Sequence, residues 1–221
     1  MGRMWRCCGL PGRREGPFLA MSHCREPGGG GRVLLMTSGQ LVSTCWVVFL
    51  CYWIAYARAV KPTAERQSVA SKLAHRAPLW VGIILLFFTK EAAINHQFLP
   101  HTETIQWLGA GICVPGVLLA IWARRTLADN WSADVEFKQG HKLVVRGPYR
   151  FVRHPIYTSL LVMALGTAIK SGQVVGFVGV GFFLLGFWIK LKQEERVMLR
   201  HFPEEYPAYK LRVKALVPFL F

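Results

Sequence analysis

The sequence predicts an all-α fold: a polytopic membrane helical bundle with about five transmembrane helices and a C-terminal interfacial helix. Two observations lead to this prediction. First, 52% of the 221 residues are hydrophobic although 27 are Lys or Arg, so apolar and charged residues must occupy separate parts of the chain. Second, the apolar residues form runs, and about 18 apolar residues suffice for a helix to cross a hydrocarbon core of roughly 30 Å.

Several apolar runs have the length of a membrane span. They are Ser38–Ala57, Leu79–Leu99, Ile105–Ala123, Pro155–Ile169 and Val174–Lys190. The second run contains the charged pair Lys90-Glu91. Proline suits the first turn of a helix and disfavours helical conformation in the residue before it. We therefore expect the fourth helix to begin at Pro155.

Beyond the last span, apolar residues recur at spacings of three and four. They are Leu199, Phe202, Tyr206, Tyr209 and Val213. Basic residues lie off this stripe, as expected for an amphipathic helix at a membrane surface. The pattern predicts the interfacial helix, packed against the loop before the fourth span.

The basic residues alternate between connections. Residues 58–78 contain five Lys or Arg, residues 100–104 none, residues 124–154 seven, the turn at Gly172 one, and the tail from Lys190 seven. Cytoplasmic connections of membrane proteins are enriched in these residues. We therefore expect the first connection, the third connection and the C-terminus in the cytoplasm, and a protein integral to the membrane.

Residues 1–35 differ from the rest of the chain. They contain six Arg and a run of glycines, without apolar periodicity. This composition predicts a disordered or wrongly assigned N-terminal extension, with translation beginning at Met36. The membrane domain is then expected in residues 36–221.

Two classes of function are disfavoured by the composition. The net charge of +15 is typical of nucleic-acid-binding proteins, but the basic residues flank apolar spans, so we expect no nucleic-acid partner. The six cysteines show no metal-ligand spacing, so no metal is expected.

A polar site is expected at the start of the fourth helix. Arg150, Arg153 and His154 precede Pro155. The unpaired N–H groups of a helix N-terminus and nearby guanidinium groups together bind anions. The alternative is that these arginines contact lipid phosphates.

The tail supplies acidic partners for this site. Gly172 divides the last two spans into a hairpin with arms of similar length, so the hairpin should bring Glu194 and Glu195 beside His154. Carboxylates close to an Arg/His cluster mark a candidate functional site. A surface salt bridge is the alternative interpretation.

These residues carry a family resemblance. The core motif is Arg153-His154-Pro155-Ile156-Tyr157 followed by Glu194-Glu195, and the flanking motifs are His141-Lys142-Leu143-Val144, Gly147-Pro148-Tyr149 and Phe202-Pro203-Glu204-Glu205-Tyr206. In this order and spacing they resemble the isoprenylcysteine carboxyl methyltransferase family, which is related to membrane phospholipid methyltransferases. The resemblance runs from about residue 122 to residue 221.

The resemblance implies an S-adenosylmethionine-dependent methyltransferase with its cofactor site in residues 124–221. The cofactor-binding residues that it implies are His141, Lys142, Leu143, Val144, Tyr149, His154, Pro155, Ile156, Tyr157 and Glu194. We assign Arg153 and Glu195 as candidate catalytic residues. Lys190 stands where the family has an arginine that holds the substrate carboxylate, and it lacks the planar fork of arginine. The implied partners are a lipophilic methyl acceptor that enters from the membrane and the bilayer itself.

Three alternatives remain open at this point. The acceptor could be a phospholipid amine or a small thiol. A membrane reductase that uses a nicotinamide cofactor shares a similar His-Pro-x-Tyr tail. A non-enzymatic transport or structural protein would explain Lys90-Glu91, because charges within a span often mark ion paths.

Overall fold

The computed structural model describes residues 36–56, 63–65, 68–88, 96–128, 137–138 and 143–218. The N-terminal extension 1–35 and the pair Lys90-Glu91 lie outside the described residues, so their predictions stay predictions. The same holds for the candidate cofactor residues His141 and Lys142.

The described residues form an α-helical bundle, which confirms the predicted fold class. Its helices are α1 (Ser38–Tyr56), α2 (Val69–Phe87), α3 (Glu103–Leu127), α4 (Pro155–Ser171), α5 (Val174–His201) and α6 (Glu205–Arg212). Two short strands, β1 (Thr63–Glu65) and β2 (Phe137–Lys138), pair antiparallel in the connections. By length and composition, α1, α2, α3 and α5 are able to cross a membrane. The fourth predicted span corresponds to α4, which has 17 residues.

The predicted bounds of the second span, Leu79–Leu99, are wrong. The helix begins ten residues earlier, at Val69, where the Ser68 side chain accepts a hydrogen bond from the Ser71 N–H, and it ends at Phe87. Its first turns are polar, so a search for apolar residues alone misses them. Leu99 lies outside α2 because its backbone N–H donates to the carbonyl of Gly172, across the turn between α4 and α5.

The helices pack as two close pairs, α3 with α4 and α2 with α5, and α1 lies against α3. The α4–α5 hairpin joins the two pairs through Gly172, which caps α4 in the left-handed region with φ 69°. A glycine adopts this conformation without steric cost. The hairpin therefore brings the first residues of α4 beside the last turns of α5, as the arm lengths predict.

The C-terminal helix forms where the apolar stripe predicts it. Tyr206 and Tyr209 are buried on one face of α6, whereas Leu211 is 85% exposed on the other. Pro207 does not interrupt α6, because the N–H groups of the first helical turn have no partner within a helix. The buried face of α6 lies against the entrance to α4.

Candidate active site

The chain enters α4 through backbone pairing with the tail. Val152 forms a parallel bridge with Lys214, the Arg153 N–H donates to the Lys214 carbonyl over 2.8 Å, and the His154 N–H donates to the Ala215 carbonyl over 3.0 Å. Pro155, the next residue, starts the helix and is fully buried. The tail therefore fixes the backbone from which the Arg153 and His154 side chains extend.

Arg153 and Glu195 form a buried ion pair. The Arg153 Nη2 lies 2.7 Å from the Glu195 Oε1, and the side chains are 8% and 4% exposed. Arg153 also donates to the carbonyls of Lys210 and Val213 in the tail. The Lys210 ammonium lies 2.8 Å from the second oxygen of Glu195. This network ties α5 to α6 and to the start of α4.

Glu194 lies on a different side of α5, in a more open cluster. Its Oε1 accepts a hydrogen bond of 2.5 Å from the Tyr157 hydroxyl. Its Oε2 lies 3.4 Å from the His154 Nδ1, and the Lys190 ammonium is 4.0 Å from Oε1. The Glu194 side chain is 22% exposed, against 4% for Glu195. Glu194 therefore keeps acceptor capacity for a further polar group.

Aromatic rings form one wall of this cluster. The rings of His154 and Tyr157 stack with centroids 5.3 Å apart, and those of Tyr157 and Phe187 stack at 4.8 Å. The Lys190 ammonium lies 5.5 Å from the centre of the Tyr157 ring. The stack holds the Tyr157 hydroxyl toward Glu194 and offers an apolar surface beside charged groups.

His154 lies between the two carboxylates, with its side chain 11% exposed. Burial lowers the pKa of His154, but Glu194 and Glu195 outweigh burial and raise the pKa above its ordinary value. Its Nε2 is buried without a hydrogen-bond partner among the described residues, because Glu195 is 3.7 Å away. A buried nitrogen without a partner is a candidate contact for a bound molecule.

The remaining predicted residues line the approach to α4. Tyr149 is buried in a short 3-10 turn, and its carbonyl accepts a hydrogen bond of 2.5 Å from the Tyr209 hydroxyl. Ile156 is buried in the first turn of α4, and Val144 packs against the same core. Leu143 is partly buried beside Val144. These side chains form walls, whereas the hydrogen-bonding groups come from His154, Tyr157 and Glu194.

Two contributors to this region were missed in the sequence. Lys210 pairs with Glu195, and Tyr209 donates to the Tyr149 carbonyl; both belong to the tail helix, which the sequence predicts only as an interfacial helix packed against the loop before the fourth span. The apolar stripe indicated that Tyr209 is buried, but the partner of its hydroxyl depends on how α6 lies against the turn before α4. No spacing in the sequence pairs Lys210 with Glu195.

Comparisons with known proteins match this region. Residues 104–205 match the family model of the phospholipid methyltransferases. The protein-S-isoprenylcysteine O-methyltransferase of Dictyostelium discoideum is 27% identical over 159 residues, which cover 70% of this chain and 67% of that protein. The human protein of the same name is 29% identical over 140 residues, and the matching part spans 48% of its length. The mouse protein is 30% identical over 136 residues and is covered to the same 48%.

A solved structure shows the same fold. It is described as the eukaryotic intramembrane Ras methyltransferase, isoprenylcysteine carboxyl methyltransferase; it aligns with a TM-score of 0.52 and 22% identity, over 86% of this chain and 70% of that chain. The family match contains Arg153, His154, Lys190, Glu194 and Glu195. The predicted resemblance is confirmed: the chain is similar in sequence to isoprenylcysteine O-methyltransferases and, over residues 104–205, to phospholipid methyltransferases, and its fold is that of the solved helical membrane structure.

Proposed function

We propose that this protein is an integral membrane methyltransferase that uses S-adenosylmethionine and methylates a lipophilic carboxylate at the cytoplasmic face of the membrane. The observation that carries the proposal is the open cluster of Glu194, His154, Tyr157 and Lys190 at the mouth of the α4–α5 hairpin. The names of the relatives support the methyltransferase activity.

The residues of this cluster fit S-adenosylmethionine. That molecule presents hydroxyl and ammonium donors, a carboxylate, an aromatic base and a sulfonium. Glu194 has acceptor capacity for the donors, and the buried Nε2 of His154 lacks a partner among the described residues. The stacked rings of Tyr157 and Phe187 offer a surface for the base or the sulfonium. We place the cofactor site within residues 124–221, on these groups and on the implied His141–Val144 segment.

The chemistry requires alignment more than acid–base catalysis. When bound, S-adenosylmethionine supplies a methyl group on a positively charged sulfur. Lys190 attracts the acceptor carboxylate, and Tyr157 and Glu194 hold the other side of the cluster. Holding two reactants in line supplies much of a rate enhancement. A carboxylate is already deprotonated at neutral pH, so His154 has no proton to remove from it.

For Arg153 and Glu195 the contacts support a positioning role. Both side chains are buried, bonded to each other and to the tail. They fix the positions of the His154 backbone and of α6. They therefore position the groups of the site and do not contact the reacting atoms.

The acceptor has a second candidate. The family match over residues 104–205 is to phospholipid methyltransferases, so a phospholipid amine is the second candidate acceptor. An amine acceptor has no carboxylate for Lys190 to bind. Comparing methyl transfer to an S-farnesylcysteine derivative and to a phosphatidylethanolamine vesicle separates the two: the proposal requires transfer to the first.

Calorimetric titration of the detergent-purified protein with S-adenosylhomocysteine tests the cofactor site. We expect micromolar binding by the wild type and at least a tenfold loss of affinity in Glu194→Ala, which is about 1.4 kcal/mol at 25 °C. Glu204→Ala, at an exposed carboxylate before α6, is the matched control and should bind like the wild type. Equal affinity in all three proteins would place the cofactor site away from Glu194. Absence of binding by the wild type would exclude the proposed methyltransferase activity.

The cytoplasmic orientation is tested by cysteine labelling in intact cells, in a background without native cysteines. His101→Cys places a thiol at an exposed position in the connection before α3. Glu204→Cys places a thiol at an exposed position between α5 and α6. The charge distribution predicts that a membrane-impermeant maleimide labels Cys at 101 and leaves 204 unlabelled until the cells are lysed. The reverse pattern would put the cluster outside the cytoplasm.

A further inference from the structure

One side of α5 is exposed along the helix and changes from apolar to basic. The exposed residues recur at spacings of three and four, which place them on the same side of a helix. They are Leu185, Trp188, Lys192, Arg196 and Arg200. We call this set the outer stripe of α5. None of the predicted site residues belongs to it, so the outer stripe has no role in the proposed function.

The length of α5 places this change of polarity at the membrane surface. The helix has 28 residues and rises about 42 Å, whereas the hydrocarbon core of a bilayer is about 30 Å thick. About twenty residues from Val174 onward cross the core, which puts Lys192 at its edge and Arg196 in the headgroup layer. Trp188 is 42% exposed one turn before Lys192, where tryptophan is enriched in membrane proteins. The basic part of the outer stripe therefore meets lipid headgroups.

The positive charges of the outer stripe are not matched by acidic residues of α5. The acidic residues of this helix, Glu194 and Glu195, have their partners in the candidate active site. Lys192 and Arg196 are exposed, and neither forms an ion pair with a described residue. Side chains four residues apart on a helix are neighbours, with Cβ atoms about 5–6 Å apart. Lys192 and Arg196 are therefore able to bind one phosphate together.

Trp188 joins the basic part of the outer stripe to an apolar surface. The Lys192 ammonium lies 4.6 Å from the centre of the Trp188 ring, so cation and ring form one continuous surface. The indole N–H is a donor, and it has no hydrogen bond with a described residue. Toward the middle of the membrane, Leu184 and Leu185 are 47% and 48% exposed, and a Cβ atom at Gly181 would meet nothing within 4 Å. A phospholipid matches both parts, whereas a soluble anion matches only the basic one.

We propose that the outer stripe of α5 binds an anionic phospholipid. Lys192, Arg196 and the indole N–H of Trp188 bind the phosphate, and an acyl chain lies along Leu184 and Leu185. Two cations attract a headgroup with a net negative charge, such as that of phosphatidylglycerol. They repel the choline of phosphatidylcholine, which carries a positive charge next to the phosphate. This site depends neither on the cofactor nor on the methyl acceptor.

The test compares two lipids that differ in their headgroups. The detergent-purified full chain is titrated with phosphatidylglycerol and with phosphatidylcholine of the same acyl chains, and bound lipid is counted by native mass spectrometry. We expect the wild type to bind phosphatidylglycerol at least about tenfold more tightly. Lys192→Gln/Arg196→Gln should lose about tenfold in affinity for phosphatidylglycerol and keep its affinity for phosphatidylcholine. Trp188→Phe keeps an aromatic ring without the N–H donor and should lose about threefold.

Two further variants separate binding at the outer stripe from the overall charge of the protein. Arg125→Gln/Arg212→Gln also removes two exposed positive charges, but on α3 and α6. It should bind phosphatidylglycerol within about twofold of the wild type. Lys192→Arg/Arg196→Lys keeps both charges of the outer stripe and should bind phosphatidylglycerol like the wild type.

The other outcomes overturn the inference in distinguishable ways. Equal affinities of the wild type for the two lipids would show that the outer stripe does not select an anionic headgroup. Equal losses in the two charge-removing variants would show that the lipid responds to net charge alone. Displacement of phosphatidylglycerol by millimolar inorganic phosphate would make the outer stripe a site for soluble anions. A dimer of the wild type that is absent from Lys192→Gln/Arg196→Gln would assign the outer stripe to contact between two copies of the chain.

Discussion

Glu194 and Glu195 are neighbours on α5 and have the same side chain, but their surroundings differ. The Glu195 carboxylate contacts Arg153 at 2.7 Å and Lys210 at 2.8 Å, and its side chain is 4% exposed. Glu194 is 22% exposed, and its distances to His154 and Lys190 are 3.4 Å and 4.0 Å. One carboxylate has its charge matched within the protein, whereas the other retains capacity for a ligand.

The difference shows how one helix serves two purposes at adjacent positions. Successive residues of a helix point about 100° apart, so Glu195 faces the tail and Glu194 faces the start of α4. A buried charge that loses its partner is costly, so the Glu195 network stabilises the fold as a unit. Glu194 does not belong to the Glu195 network. Removing its side chain should therefore lower the affinity for the cofactor more than it lowers the free energy of unfolding.

The largest expected effect follows from removing Glu195. Glu195→Ala leaves the buried Arg153 without its carboxylate, which typically costs about 3–5 kcal/mol. We expect a marked fall in the melting temperature in detergent and faster tryptic cleavage of the tail at Lys210 and Arg212. Glu194→Ala is the matched neighbour and should lose clearly less stability. Equal losses in the two variants would remove the distinction between the carboxylates.

A smaller effect is expected at the contact between α6 and the turn before α4. Tyr209→Phe leaves the buried Tyr149 carbonyl without its hydrogen bond, which typically costs about 1–3 kcal/mol. Tyr206→Phe, one turn earlier on the same buried face, is the control, because the hydroxyl of Tyr206 has no hydrogen bond within the described part of the chain. The melting temperature of Tyr209→Phe should be lower than that of Tyr206→Phe. The opposite ranking would show that the Tyr209 bond does not hold the tail.

The smallest effect concerns pH, at the residue between the two carboxylates. The pKa of His154 is raised in the fold because Glu194 and Glu195 outweigh burial, whereas an unfolded histidine has a pKa of about 6.5. Its contribution to stability is therefore complete below about pH 6.5 and is lost as the pH rises through the folded pKa. As the pH rises above about 6.5, the melting temperature of the wild type should decline more steeply than that of His154→Gln. Parallel curves would mean that the carboxylates do not hold the proton on His154.

Much of the site was predictable because of chain geometry. The hairpin arms have similar lengths, and this alone brings Glu194 near His154, as the structure shows at 3.4 Å. Pro155 marks the start of α4 because of its fixed backbone angle. The bounds of α2 were wrong because its first turns, with Lys72 and Arg76, are polar, and hydropathy does not register a polar start of a helix.

Composition, apolar periodicity and proline positions determine by themselves that this chain is a helical membrane bundle with a charged site at the last hairpin. Those properties are local, so they act through hydropathy and backbone preference along the sequence. The tertiary structure decides which of two adjacent glutamates forms ion pairs with Arg153 and Lys210. It also brings His75 of α2 into contact with Gln193 of α5. Both outcomes depend on the rotation of packed helices about their axes, and a rotation of one residue, about 100°, exchanges the partners.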